Sequence, residues 1–119
     1  MKSLVVLMIE QEDPEGISAR KLVVETAKHN VITGYGAETG LNLLNRFPNV
    51  DAILVHSSIL ESRGDLLAEV KAIAPDIPII LAHPFSYPVS TEASHVVDSH
   101  SPQQLLELLI EKIPQRWSD

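Results

Sequence analysis

Asp51-Ala-Ile-Leu-Val-His56, with Gly64 eight residues beyond it and an amphipathic stretch over residues 65–74, decides the fold of this chain. Ala52 to Val55 is apolar without polar alternation, the pattern of a strand covered on both faces. The stretch that follows repeats Leu66, Leu67, Val70 and Ile73 at helical spacing, so one of its sides is apolar. A doubly covered strand needs helices above and below it. Its neighbours in the sheet are then parallel and joined by crossover helices.

The same alternation runs outward in both directions. Leu4 to Ile9 is a continuous apolar run rich in branched residues and reads as the first strand. Asp13-Pro14 supplies a cap and a first-turn proline for a helix running to about His29, with Ile17, Val24 and Ala27 on one side and Arg20, Lys21 and Lys28 elsewhere. Val31 to Thr33 is a short second strand. Glu38 or Thr39 opens a second helix carrying Leu41, Leu44 and Phe47, which Pro48 stops. After the third helix come a fourth strand, Ile79 to Ala82, and a short fifth at Val96-Val97. Ser101-Pro102 caps a last helix with Leu105, Leu106, Leu108, Leu109 and Ile113. The expected architecture is α/β, a doubly wound five-stranded parallel sheet in the order 2-1-3-4-5. It forms one domain over residues 1–119, with a core of about 3–113 and a short tail at 114–119.

The alternation breaks once. Between Ala82 and Val96 the chain reads His83-Pro-Phe-Ser-Tyr-Pro-Val-Ser-Thr-Glu-Ala-Ser-His95, where two prolines argue against a regular helix before Ser90. The fourth helix is expected to be shortened or missing. Phe85, Tyr87 and Val89 then cover part of the apolar surface it leaves, and they are candidate interaction residues.

Composition narrows the function classes. Hydrophobic residues make up 45% and charged residues 21%, as in ordinary soluble domains. No apolar run approaches the roughly 18 residues of a membrane span. The opening residues, with acid directly after Ile9 and no small-residue cleavage site, read as a strand and not as a secretory leader. There is no cysteine, which excludes disulfides and thiolate metal sites and is consistent with a cytoplasmic setting. A formal charge of −7 with scattered basic residues argues against nucleic-acid binding.

In element order, in His56 with Gly64 behind it, in Asp76-Ile-Pro-Ile-Ile-Leu81 leading into strand four, and in Ser101-Pro-Gln-Gln-Leu105, the chain resembles the response-regulator receiver domain over residues 3–113. The resemblance implies the flavodoxin-like receiver fold and a role in two-component signal transduction. It also implies a phosphorylation pocket, and here that pocket is degenerate. The acidic pair after strand one falls within Glu10, Gln11 and Glu12, as Glu10/Gln11 or Gln11/Glu12. The acceptor aspartate becomes His56, the hydroxyl residue after strand four becomes His83, and the lysine after strand five becomes Asp98. Phosphoryl transfer to a carboxylate needs the aspartate, a metal and a cation. The expectation is a chain without nucleophile or cation, hence no catalysis.

Other motifs weigh less. Glu10, Glu12, His56 and His83 form a candidate divalent-metal set, although histidines replacing a lost site more often bond to loops. No other cofactor is implied. Gly34-Tyr-Gly36-Ala-Glu-Thr-Gly40 has the glycines of a phosphate loop but lacks its lysine, and a turn into a helix needs glycine anyway. Ser57-Ser58 lack a nucleophile elbow and read as loop caps. Asp98-Ser-His100 reads as a surface turn. The expected function is a non-phosphorylatable receiver-like regulatory domain acting by protein–protein contact or self-association through the 83–98 edge and the last helix. The alternative is a small metal- or ligand-binding module built on the Glu/His/His cluster.

Overall fold

A computed structural model describes residues 3–11, 19–84 and 93–115. Five strands form one sheet in the order β2-β1-β3-β4-β5, every neighbouring pair parallel. They are β1 (Val5–Glu10), β2 (Asn30–Tyr35), β3 (Ala52–His56), β4 (Ile79–His83) and β5 (His95–Asp98). The described helices are α1 (Ala19–Thr26), α2 (Ala37–Arg46), α3 (Leu66–Ile73) and α4 (Pro102–Glu111), and a 3-10 turn spans Ser57–Glu61. The expected sheet order and doubly wound architecture are therefore present. The start of α1 and the expected loss of a helix after β4 fall at residues outside the described ones.

Period-two alternation divides the core. Leu7, Ile9, Ile53, Val55, Ile79 and Leu81 face one side and pack with Leu44 of α2 and Leu66 and Val70 of α3. Val6, Met8, Leu54, Ile80, Ala82 and Val97 face the other and pack with Val24 of α1 and Leu105 and Leu109 of α4.

Several boundaries differ from the sequence reading by a residue or two, and those of α1 and β2 have a clear physical cause. α1 stops at Thr26 rather than near His29 because Lys28 takes a left-handed backbone, φ 72°. That turn brings His29 under the sheet, where its Nδ1 accepts the N–H of Leu4 at 3.0 Å. β2 is longer than Val31–Thr33, since pairing with β1 extends it through Gly34 and Tyr35. The expected cap of α4 is observed: Ser101 Oγ accepts the N–H of Gln104, with Pro102 in the first turn.

The glycines of the 34–40 stretch serve packing. Gly36 sits at the cap of α2 with φ 99°. A Cβ on Gly40 would fall 2.7 Å from the Ile9 side chain, and one on Gly34 would fall 2.8 Å from Gly40 Cα. Helix α2 thus rests directly on the strands through hydrogen-only positions. Gly34→Ala, pressed against backbone, is expected to cost about 1–3 kcal/mol in urea unfolding, the usual range for overpacking. Gly64→Ala, whose Cβ would meet nothing closer than 3.8 Å, is expected to stay within about 0.5 kcal/mol of the parent.

Candidate functional site

The carboxyl ends of the strands gather the charged and imidazole side chains. β1 ends at Glu10. Ile9 pairs with Val55, so Glu10 lies beside His56 at the end of β3. His56 pairs with Ala82, and His83 pairs with Asp98. Glu10 is almost fully buried at 5% exposure, and Gln11 is exposed with its Nε2 donating to the Ser58 carbonyl at 3.0 Å. Glu12 lies outside the described residues, as do Phe85, Tyr87 and Val89.

A guanidinium from a helix meets the buried acid Glu10. Arg20 of α1 donates from its guanidinium to Glu10 Oε1 at 2.5 Å, with the two side chains 27% and 6% exposed. β5 ends at Asp98, and the Arg20 guanidinium is engaged by Glu10. One sequence signal was available. Arg20 precedes the buried Val24 by four residues, which puts it on the inward stripe of α1 instead of the solvated side.

His56 is bound to the 3-10 turn that follows it. Its Nδ1 accepts the backbone N–H of Ser58 at 3.2 Å and lies 2.6 Å from Ser58 Oγ. A backbone N–H can only donate, so Nδ1 carries a lone pair and the neutral ring holds its proton on Nε2. Ser58 Oγ then donates to the same atom. The side chain caps the turn, a task more usual for Asp or Asn. Protonating Nδ1 would break these bonds. The His56 pKa lies below its ordinary value: burial is the main cause, the Arg20 guanidinium adds to it, Glu10 opposes it, and His100 and His83 depress it further.

The remaining candidates resolve in the same way. Asp98 Oδ1 accepts the N–H of His100 at 2.9 Å, so Asp98-Ser99-His100 is a turn and not a catalytic trio. His83 reaches the same edge and lines an open cleft with His56, Ser58 and Leu60. Among the described residues, no group of three or more His, Asp or Glu stands close enough to hold a metal ion. None of their helices is long and apolar enough to cross a membrane.

No family model matches the sequence, and no curated protein matches it. Solved structures do match its fold. A CheY-like response regulator receiver domain protein from Methanospirillum hungatei JF-1 is similar at TM-score 0.72 and 21% identity, covering 92% of this chain and 93% of that one. A response regulator receiver domain protein from Clostridium thermocellum is similar at TM-score 0.69 and 17% identity, covering 86% and 88%. The N-terminal domain of a response regulator/sensory box/GGDEF 3-domain protein from Carboxydothermus hydrogenoformans is similar at TM-score 0.69 and 13% identity, covering 88% and 90%. At such identities the likeness establishes the receiver fold.

The depressed His56 pKa has a signed consequence. Between pH 6.5, the ordinary histidine value, and the lower folded value, the unfolded chain binds more protons than the folded one. Stability is therefore fully present above the ordinary value and declines as pH falls through that window. NMR titration of the ring should give a midpoint below 6.5. His56→Asn, which can keep the cap, should show a shallower fall in Tm than the parent between about pH 7 and pH 5.

Proposed function

We infer that this chain is a receiver-like regulatory domain of a signalling system that acts by protein–protein contact, without phosphoryl transfer and without catalysis. One observation carries the reading. The resemblance places the phosphoryl acceptor at the end of strand three, and there His56 spends its ring lone pair on Ser58. An imidazole so engaged is a turn cap, not a free nucleophile. Asp98 at the end of β5 adds negative charge where a transferred phosphoryl group would need a cation. Arg20 does not supply that cation freely, since it already faces Glu10. A cytoplasmic setting belongs to the same proposal.

The contact role rests on surface chemistry. Leu105 and Leu109 of α4 are buried, Leu106 and Leu108 are half-buried, and Ile110 is 58% exposed. The last helix therefore serves the core and still presents apolar surface. Phe85, Tyr87 and Val89 follow β4 in the sequence and are the proposed anchors. Aromatic side chains are typical binding anchors.

Incubation with acetyl phosphate and Mg²⁺ is expected to leave the intact mass unchanged, and beryllofluoride to leave the amide NMR spectrum unchanged. Stoichiometric phosphorylation at any residue defeats the proposal. The contact surface has its own test. In sedimentation velocity, the Phe85→Ala/Tyr87→Ala double variant should self-associate at least about tenfold more weakly than the parent, a loss in the hot-spot range, while His56→Ala should change association little.

A further inference from the structure

A cavity of about 210 Å³ lies on the α1/α4 face, under the turn that links β5 to α4. Its floor is Ala82 and Val97, and its walls include Val23 of α1 and Leu105 of α4. The space follows from the sequence. Position 82 carries only a methyl group, where Leu54 and Ile80 fill the same face of the sheet two residues earlier along the strands. The pocket is partly open, with an apolar floor, and is large enough to admit a small organic molecule.

The rim is polar in a particular way. Arg20 and Ser99 both line the cavity, and Arg20 Nε and Ser99 Oγ are buried without a hydrogen-bond partner among the described residues. Buried polar atoms are rarely left so, and each such atom is a place for an acceptor from outside the chain. Charge sets the ligand class. Arg20 already faces Glu10, and Asp98, a second carboxylate, lines the same cavity with one oxygen closing the turn at His100. Asp98 and His100 line the cavity while Glu10 engages the Arg20 guanidinium from outside it, so the cavity offers no uncompensated positive charge from Arg20 for an anion. The apolar floor and walls disfavour a strongly hydrated cation.

We propose that this cavity is a binding site for a small, uncharged, largely apolar molecule carrying one hydrogen-bond acceptor, such as a carbonyl oxygen, received by Arg20 Nε and Ser99 Oγ. The site is independent of whether the domain signals by contact. It shares Arg20 with the Glu10–His56 edge, so occupancy changes the surroundings of that edge without covalent chemistry.

The test is a ¹H–¹⁵N NMR titration of the whole chain with three probes: cyclohexanone, benzoate and toluene. Cyclohexanone should shift the amides of Val97, Ser99, His100 and Leu105 saturably, and more tightly than either other probe. Ser99→Ala should weaken cyclohexanone roughly three- to tenfold, the worth of one hydrogen bond, and leave toluene unchanged. Val23→Phe, which fills the space from the helix side, should abolish binding. If that variant fails to fold, the Ser99→Ala comparison decides alone. Absence of saturable shifts with all three probes means the cavity holds only water, and the proposal falls. It falls equally if benzoate or toluene binds as tightly as cyclohexanone, or if Ser99→Ala weakens the ketone no more than the hydrocarbon.

Discussion

The register of β1 governs everything else in this molecule, and two side chains fix it at its entry. His29 accepts the N–H of Leu4 at 3.0 Å, and the fully buried Asp51 accepts the N–H of Val5 at 2.8 Å through Oδ2. The Asp51 N–H in turn donates to the Val5 carbonyl at 2.7 Å. These donors would otherwise go unmet at the start of an interior strand, where a buried unmet N–H costs about 1–3 kcal/mol. Shifting β1 by one residue would lose them and would exchange the side chains of the two faces. Held in place, the strand delivers Glu10 beside His56 at its far end.

The strands were readable because burial on both faces removes polar alternation, leaving runs such as Leu4–Ile9 and Ala52–Val55. The cap at Ser101 was readable because helix ends require particular chemistry, whereas α2 starts at Ala37 behind Gly36 and not at Glu38 or Thr39. What escaped was set by distant partners. Gly34 and Tyr35 have little strand character alone and become strand by pairing with Ile9 and Glu10. The early end of α1 depends on the left-handed backbone of Lys28, which no residue preference announced.

At the site, sequence identified which positions would converge but not how their charges would be met. Glu10, His56, His83 and Asp98 were placed at one edge by element order, and strand pairing puts them there. The role of Arg20 was hidden because its partner lies ten residues earlier, on another element. Distances in sequence carry no record of a side chain reaching over the end of a strand. The bond between His56 and Ser58 is local, two residues apart, yet it needed the 3-10 turn to be seen.

The division of the core into two clusters, one under α2 and α3 and one under α1 and α4, makes the sheet a partition between two compartments. The side chains of one compartment do not interleave with those of the other, so a disturbance crosses only as displacement of strand backbone. The mixed edge at Glu10, Arg20 and His56 lies at the carboxyl end of that partition, where both compartments meet the same strand ends.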